Sequence, residues 1–392
     1  MGVDDIAVFG IGVLLVGAAV LLALLGNRLS RVLRIPAPAL FLVSASAATD
    51  LWPPLGDLTA RLDERIVTVA LILVLFDGGM SIGWRRFRQS AGPVLWVGVA
   101  GTVVTAGGLA LAIHFLFGFS WTTALLLGTA LAPTDPAVVF SVLGGREIGG
   151  RSGTILEGES GANDPVGIAL LISILGATAG GAGALTAGAI EFVVQMAVGL
   201  TVGVAGGMAL RWVTQHVELP DEALYPLRAI AGACGIYGLA ATAHGSGFLA
   251  VFLAGIVMGD VRAPYKPEIE RFSSALATLA EIVAFAVLGL TIPLTTLLSS
   301  GDVLTGLALA GLLIFVIRPV LVGLLLMAVR LRAAERVFIL WAGLKGAVPI
   351  LLGIFLLSSD INAGPQVYRL IFVVVLVSVL LQGSTVPLVA SA

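Results

Sequence analysis

The sequence predicts an all-α, polytopic membrane protein. Of its 392 residues, 58% are hydrophobic and only 11% are charged, and the mean hydropathy is +1.09. A soluble domain usually carries about 25% charged residues. Apolar segments long enough, or nearly long enough, to span a bilayer recur along the whole chain. The net charge of −2 gives no indication of a nucleic-acid partner.

About thirteen membrane-spanning segments are predicted. They lie at roughly 6–26, 38–52, 66–83, 92–117, 120–143, 154–178, 186–212, 224–243, 245–260, 271–291, 302–328, 334–357 and 367–389. An odd count predicts two six-helix halves of opposite orientation. These would be inverted repeats at about 1–180 and 222–392 of a single transmembrane domain, joined by a linker helix at about 186–212.

The basic residues support this topology. With the N-terminus outside, sixteen of the 21 Lys and Arg residues fall at segment ends and loops that face the cytoplasm. The opposite loops carry only Arg61, Arg65 and Arg369, and two further residues, Arg318 and Lys345, lie inside spans. Cytoplasmic loops of membrane proteins carry an excess of basic residues. The distribution therefore predicts an external N-terminus and a cytoplasmic C-terminus.

Two spans contain helix breakers at equivalent places in the two halves. The span 120–143 contains Pro133-Thr-Asp-Pro136, and the span 334–357 contains Gly343-Leu-Lys-Gly346-Ala-Val-Pro349. This predicts crossed discontinuous helices, the fifth and the twelfth, as in transporters that bind ions at broken helices. The prolines leave carbonyls without helical donors, and these carbonyls and the Thr134 hydroxyl are possible ligands of an alkali cation.

Six ionisable residues on six spans are predicted to lie near the middle of the membrane. Their depth follows from counting 1.5 Å per helical residue from the nearest cytoplasmic basic residue. The six are Asp77, Asp135, Asp164, Glu281, Arg318 and Lys345. Any one of them could belong to a structural ion pair. The convergence of all six predicts an ion site, because charges at this depth are costly without a function.

Residue spacing in the span 154–178 separates two roles. Ser160 and Asp164 are four residues apart, so one helix face offers a hydroxyl and a carboxylate to a cation. Glu159 and Asn163 have the same spacing on the adjacent face, which could hold a cationic side chain. We interpret Asp164 as the residue that binds a cation and a proton in turn.

Two assignments stay open at this point. Arg318 and Lys345 are both available as the cationic partner of the face that carries Glu159 and Asn163. Asp135 is either a cation ligand or a charge that balances Lys345 across the two broken helices. A Gly199-x-x-x-Gly203-x-x-x-Gly207 pattern predicts close helix packing, either in a dimer or within the fold.

Five stretches resemble the monovalent cation:proton antiporters of the NhaP and sodium/proton-exchanger branch. They are Phe76-Asp-Gly-Gly-Met80, Pro133-Thr-Asp-Pro-Ala-Val-Val-Phe140, Gly158-Glu-Ser-Gly-Ala-Asn-Asp-Pro165, Ile317-Arg-Pro319 and Gly343-Leu-Lys-Gly-Ala-Val-Pro349. The resemblance covers nearly the whole chain. It implies thirteen helices in a dimerisation bundle and a core bundle, and a homodimer.

The same resemblance implies roles for individual residues. Asp164 would be the shared carboxylate for cation and proton, with Ser160, Thr134 and the acid Asp77 nearby. Glu159, Asn163 and Arg318 would form a structural cluster, and we expect Lys345 and Glu281 in the ion-pair network around it.

Two residues depart from the sodium-type pattern. Asp77 stands where many sodium-type relatives have Glu, and Lys345 stands where Arg is usual. Asp77 and the stretch Leu381-Gln-Gly-Ser-Thr385 look more like the bacterial potassium/proton branch. Members of that branch usually continue into a cytoplasmic regulatory domain, which we do not expect within the 392 residues of this chain.

The predicted function is therefore secondary antiport of a monovalent cation, K⁺ favoured and Na⁺ possible, against H⁺ in the inner membrane of a bacterium. Exchange is expected to be electroneutral and one-for-one, with membrane lipid around the protein and no cofactor besides the transported ions. Alternatives are a Na⁺/H⁺ exchanger on the same fold, a cation channel and a non-transporting membrane sensor. An enzyme, such as an intramembrane protease, is not expected, because Asn163-Asp164 lacks a second catalytic acid in a matching motif.

Overall fold

A computed structural model describes residues 36–56, 60–135, 151–178, 184–359 and 363–390, together with Leu21 and Val139. Across these residues the regular structure is helical and contains no strand. The predicted span 6–26 lies outside this part of the chain, apart from Leu21. So do Pro136 and the later part of the span 120–143, apart from Val139.

The helices follow the predicted apolar segments. In chain order they are α1 (Ala37–Leu51), α2 (Ala60–Leu95), α3 (Gly101–Phe117), α4 (Trp121–Ala130), α5 (Arg151–Thr178), α6 (Ala184–His216), α7 (Leu224–Thr242), α8 (Gly247–Gly259), α9 (Lys266–Leu290), α10 (Leu294–Ser299), α11 (Asp302–Met327), α12 (Ala333–Trp341), α13 (Ala347–Leu357) and α14 (Gly364–Ala390). A π-helical turn, Trp96–Ala100, joins α2 to α3, and α11 contains a π-helical section, Leu313–Val322.

Seven helical stretches within the described residues are long and apolar enough to cross a membrane. They are Arg61–Phe117, Gly153–Ala177, Thr186–His216, Leu224–Thr242, Lys266–Leu290, Asp302–Met327 and Gly364–Ala390. Three shorter apolar helices, α1, α8 and α13, accompany them. The all-helical, membrane-spanning class is therefore confirmed. The count of thirteen helices and the inverted repeats stay predictions, since the first segment is not among the described residues.

The stretch Arg61–Phe117 covers two predicted spans, and the chain bends sharply between them at Gly83. Gly83 has φ 67° and ψ 162°, a left-handed conformation that glycine adopts without steric cost. The Asp260 carboxylate accepts a hydrogen bond of 2.6 Å from the backbone N–H of Arg85, just after the bend. This contact satisfies a backbone donor that the bend releases from the helix.

The short helix α8 is packed between α2 and α6 through glycines. A β-carbon at Gly203 of α6 would lie 2.7 Å from the backbone of Ala250. On the other side, a β-carbon at Gly79 of α2 would lie 2.4 Å from the carbonyl oxygen of Phe252. Gly199 and Gly207 meet the α8 segment in the same way. The predicted glycine pattern thus serves packing within one chain.

Candidate cation and proton site

The two predicted helix breaks lie side by side. Helix α4 ends at Ala130 and an irregular segment follows to Asp135, while α12 ends at Trp341 and α13 begins at Ala347. The backbone N–H of Asp135 donates to the carbonyl of Leu344 over 2.8 Å, so the two irregular segments are directly bonded. We call the contact of these two segments the crossing. Irregular backbone at this depth requires such protein partners.

Lys345 joins the two segments through its side chain. It is 1% exposed, and its Nζ donates to the carbonyls of Ala132 (2.8 Å) and Pro133 (3.0 Å). These are among the carbonyls that proline was predicted to release for a cation. In the structure they bind the ammonium group of the chain itself.

Helix α5 holds Thr134 at three points. Ser160 Oγ donates to the Thr134 carbonyl over 2.5 Å, and Asn163 Nδ2 donates to Thr134 Oγ1 over 2.7 Å. The backbone N–H of Thr134 donates in return to Asn163 Oδ1 over 3.3 Å. Three of the predicted site residues are therefore adjacent. The amide of Asn163 binds Thr134, although its spacing from Glu159 had suggested a cationic partner.

Asp164 is buried next to this contact and is 5% exposed. Among the residues that the structure describes, its Oδ1 has no hydrogen-bond partner. Asp135 is close enough to repel this carboxylate, and Lys345 is close enough to attract it. Pro165 follows directly and has no N–H, so the carbonyl of Gly161 also lacks its usual helical donor. The surroundings are thus rich in oxygen atoms and poor in donors.

Glu159 and Arg318 form the predicted ion pair. Arg318 Nη2 lies 2.9 Å from Glu159 Oε1, and both side chains are almost fully buried. The guanidinium also donates to the carbonyls of Leu340 and Ile339 at the end of α12. It lies on Gly343, where a β-carbon would come within 1.9 Å of the guanidinium carbon. Arg318 stands in the π-helical section of α11, just before Pro319.

Asp135 and Glu281 lie at the other side of the crossing. The Asp135 carboxylate lies against Gly346, where a β-carbon would be 2.0 Å from Asp135 Oδ2. Glu281 is partly buried, and its Oε1 has no hydrogen-bond partner in the described part of the chain. The two acids repel each other electrostatically. Because Asp135 also interacts with Asp164, three carboxylates surround the crossing.

Asp77 has different neighbours. It is half-buried on α2, and its electrostatic partners are Glu270 and Lys266 in the first turns of α9. Lys266 Nζ in turn lies 3.1 Å from Glu270 Oε1. Among the described residues, none of the hydrogen bonds at the crossing involves Asp77. Its participation in cation binding stays a prediction.

A comparison with known families identifies the chain's relatives. The family described as "Sodium/hydrogen exchanger, transmembrane" matches residues 17–392. The chain belongs to this family. The resemblance that its motifs had suggested is thereby confirmed, and the exchanger is an integral membrane protein.

Individual relatives include proteins named for two different ions. The exchanger is 34% identical over 383 residues to the K⁺/H⁺ antiporter NhaP of Alkalimonas amylolytica, covering 96% of this chain and 66% of that protein. It is 34% identical over 394 residues to the K⁺/H⁺ antiporter NhaP2 of Shewanella oneidensis, covering 98% and 67%. The Na⁺/H⁺ antiporter ApNhaP of Aphanothece halophytica is 26% identical over 334 residues, covering 82% and 63%. The chain thus spans about two thirds of the length of these relatives.

A solved structure shares the fold. The sodium proton antiporter MjNhaP1 of Methanocaldococcus jannaschii, in its structure at pH 8, matches with a TM-score of 0.80 and 22% identity. The match covers 96% of this chain and 99% of that one. At this identity the likeness shows the fold.

Two residues at the crossing of this exchanger were not predicted as site residues. Ser378 and Gln382 of α14 are 0% and 1% exposed and bind the backbone of the break between α12 and α13. A signal for them existed in the sequence. They are polar residues four apart in a predominantly apolar span, and polar side chains on one face of a membrane helix indicate bonded partners.

Proposed function

We propose that this exchanger is a secondary active antiporter that exchanges a monovalent cation for a proton by alternating access around Asp164. The observation that carries the proposal is the buried Asp164 Oδ1, to which no described residue donates a hydrogen bond. It lies on α5, whose Ser160 and Asn163 bind the broken segment at Thr134. A carboxylate in these surroundings has an open position for a proton or for a hard cation.

Ser160 and Thr134 are suited to complete the cation site. A hydroxyl group has one donor and two acceptor lone pairs. Ser160 Oγ uses its donor on the Thr134 carbonyl, which leaves its lone pairs available to a cation. Thr134 Oγ1 accepts one hydrogen bond from Asn163 and keeps a second lone pair. Asp135, Asp77 and Asn163 complete the set of residues that we predict to bind the cation or the proton.

The transport cycle follows from the free-energy cost of an Asp164 carboxylate that has bound neither a proton nor a cation. A carboxylate that is neither protonated nor bound to a cation carries an unpaired charge through a low-dielectric region. Either loaded form removes that charge and allows the alternating movement. Exchange is then one cation for one proton. Glu159 and Arg318 stay paired throughout the cycle, while Lys345 stays bound to the carbonyls of Ala132 and Pro133.

K⁺ is the favoured cation. The relatives at 34% identity are named K⁺/H⁺ antiporters, whereas the relative named a Na⁺/H⁺ antiporter is 26% identical. Asp77 in place of Glu, together with the stretch Leu381-Gln-Gly-Ser-Thr385, had pointed to the same branch. A Na⁺/H⁺ exchanger on the same fold is the competing assignment.

The proposed architecture extends the described helices. Thirteen spans form inverted repeats at about 1–180 and 222–392 within one domain, and α6 (Ala184–His216) occupies the place of the linker helix predicted at about 186–212. The N-terminus is outside and the C-terminus cytoplasmic, in the inner membrane of a bacterium. The exchanger acts as a homodimer surrounded by lipid.

Everted membrane vesicles provide the test. A respiration-driven proton gradient is followed by acridine orange fluorescence while K⁺, Na⁺ or choline is added. We expect K⁺ to collapse the gradient at lower concentration than Na⁺, and choline to have no effect. A stronger response to Na⁺ would assign the sodium exchanger. Cation flux without proton movement would assign a channel, and a response equal to that of vector vesicles would assign a non-transporting protein.

A further inference from the structure

Helix α2 packs against different helices before and after its bend at Gly83. Before the bend, a β-carbon at Gly79 would lie 2.4 Å from the carbonyl oxygen of Phe252 in α8. After the bend, Val94 lies against α5, where a β-carbon at Gly158 would be 2.5 Å from Val94 Cγ2. The bend is therefore a point at which the chain passes from one set of helices to another.

The segment between α9 and α11 makes the reverse kind of change at Gly301. Before it, Thr295 of α10 donates to the Asp50 carboxylate of α1 through its backbone N–H (3.1 Å) and its hydroxyl (2.6 Å). Directly after it, the Asp302 carboxylate of α11 accepts a hydrogen bond of 2.7 Å from Arg369 Nε of α14. Gly301 thus separates a contact with α1 from a contact with α14.

Most of the contacts between the described helices fall within one of two sets. The set that contains both broken segments, which we call the site set, consists of α2 after Gly83, α3, α4, α5, α11, α12, α13 and α14. The other, which we call the scaffold set, consists of α1, α2 before Gly83, α6, α7, α8, α9 and α10. The chain passes between the sets at Gly83, at Gly301 and between α5 and α6, where part of the connection lies outside the described residues.

Both described passages use backbone conformations that suit glycine. Gly83 has φ 67° and ψ 162°, a region that is essentially restricted to glycine. Gly301 has φ 73° and ψ −7°, in the left-handed region. In the predicted halves of the chain, both lie at the junction of the third and the fourth span of their half. The predicted topology places Gly83 at the cytoplasmic face and Gly301 at the external face.

We propose that Gly83 and Gly301 are two pivots about which the site set moves relative to the scaffold set. A glycine changes between positive and negative φ at little steric cost, whereas a residue with a β-carbon does not. Hinges in proteins are a few loop or element-terminal residues that absorb such changes. This role rests on the alternating access proposed above, and it assigns the places where the chain bends during that movement.

A glycine that only shapes a turn gives a different signature. If Gly301 kept a positive φ throughout the cycle, an alanine there would strain both alternating conformations equally, and stability would fall without a change in rate. If φ changes sign, alanine strains only the conformation with positive φ. The balance between the two conformations then shifts by about tenfold. Part of the stability loss is also relieved, because the unstrained conformation stays available.

Gly118 is a matched control for Gly301. It has φ 73° and ψ 14°, and at both positions an added β-carbon would meet no atom within 4 Å beyond the adjoining residues. Gly118 joins α3 to α4, which both belong to the site set, so it lies at no passage between the sets. Gly118→Ala therefore introduces the same local strain as Gly301→Ala without affecting a pivot.

Two further variants complete the set. Gly301→Asn is the rescue variant, because asparagine adopts the left-handed region more readily than alanine does. Gly83→Ala tests the second pivot. Its β-carbon would also lie 3.0 Å from Asp260 Oδ1, so its rate but not its melting temperature is compared with the control.

The full chain is reconstituted in proteoliposomes, and the maximal rate of K⁺-dependent proton movement is measured per folded protein. The melting temperature is measured in detergent. We expect Gly301→Ala and Gly83→Ala to change the maximal rate by about threefold or more, because each turnover passes through both conformations. Gly301→Ala should also lower the melting temperature less than Gly118→Ala does. Gly118→Ala and Gly301→Asn should exchange at the rate of the parent protein.

Two results would overturn the proposal. A parental maximal rate in Gly301→Ala or in Gly83→Ala would exclude a pivot at that position. A stability loss in Gly301→Ala that equals or exceeds the loss in Gly118→Ala, including a failure to fold, would show that no unstrained conformation is available. Failure of the proposed function itself would appear separately, as a parent protein without cation-dependent proton movement, and the comparison of melting temperatures would still test the pivot at Gly301.

Discussion

At the scale of the residue, Asp164 is distinguished by how few hydrogen bonds its neighbours donate to its carboxylate. Ser160 and Asn163 both donate to Thr134, and none of the described residues donates a hydrogen bond to Asp164 Oδ1. A buried charged group without hydrogen bonds is expensive. Lys345 compensates part of this cost through its charge. A proton or a cation on Asp164 removes the remainder, which makes this carboxylate suited to alternate between them.

The first prediction concerns this carboxylate. Asp164→Asn keeps the shape of the side chain and removes the group that titrates and binds the cation. Exchange should fall to the background of vector vesicles, while the protein remains folded. Cation-dependent proton movement in proteoliposomes, together with the elution volume in detergent, measures both.

The control for this prediction makes the same substitution at a different place. Asp221 is exposed in the loop before α7, and Asp221→Asn should leave exchange unchanged. Substantial exchange by Asp164→Asn would refute the assignment of the shared carboxylate. A loss of exchange in Asp221→Asn would show that the assay responds to something other than the site.

At the scale of the element, α4 and α13 are half-helices that end or begin at the two breaks. The end of each half-helix lies next to a side chain whose charge is opposite in sign to the partial charge of that end. The Lys345 ammonium lies just after the C-terminal end of α4, which carries partial negative charge. Asp135 lies against Gly346, at the N-terminal end of α13, which carries partial positive charge. The order of the charges along the two broken segments therefore matches the dipoles of the half-helices.

The second prediction concerns the pair that ties three helices together. Glu159 of α5 binds Arg318 of α11, which also binds the last carbonyls of α12. Glu159→Ala leaves the guanidinium buried without its counter-charge, which costs about 3–5 kcal/mol. Thermal unfolding in detergent should show a larger loss for Glu159→Ala than for Asp164→Asn.

Glu191 supplies a matched control for this stability measurement. Its side chain is exposed on α6 and bonded to Gln195, so Glu191→Ala should shift the melting temperature little. Equal melting temperatures for Glu159→Ala and Asp164→Asn would contradict the structural role of the pair. A double variant without both Glu159 and Arg318 should recover part of the loss, because no charge is then stranded.

Helix positions were largely predictable from sequence, since hydrophobicity and length alone separate spans from loops. Pro133 and Gly343 marked the two breaks, and i, i+4 spacing placed Ser160 with Asp164. Side-chain partners from other helices were not predictable in this way. The ammonium group of Lys345 contacts the carbonyls of Ala132 and Pro133. Hydrophobic periodicity does not indicate which groups on another helix a long side chain contacts.

Asp77 shows the limit of counting residues along a helix. The separation of eight residues between Asp77 and Arg85 predicts how deep Asp77 lies in the membrane. It does not predict in which direction around the helix axis the Asp77 side chain points. Helix α9 also begins at Lys266, five residues before the predicted start of its span. Lys266 and Glu270 therefore lie in α9, where they are neighbours of Asp77 on α2. Depth alone could not distinguish this cluster from the crossing.

At the scale of the whole molecule, the third prediction is electroneutral exchange. If Asp164 alone alternates, one proton leaves for each cation that binds, and no net charge moves. The exchange rate of proteoliposomes should then be the same with and without an imposed membrane potential. A rate or an endpoint that follows the potential would exclude one-for-one exchange.

The same single site predicts how the apparent affinity for the cation depends on pH. Protons and cations compete, so a lower pH fills Asp164 with protons and a higher cation concentration is needed. Where the protonated form dominates, the apparent KM should rise about tenfold for each pH unit of acidification. A KM that is independent of pH would exclude a shared site.

The ammonium group that joins the two broken segments cannot diffuse away, because it is covalently part of the chain. The exchanger thus contains a permanent counter-ion at the place where its irregular segments meet. Dialysis into a medium free of alkali ions removes the substrate but leaves this internal cation in position. In the proposed antiport cycle this internal cation is in place before the alkali ion arrives. The binding free energy of the alkali ion is then available for selecting between inward-facing and outward-facing conformations.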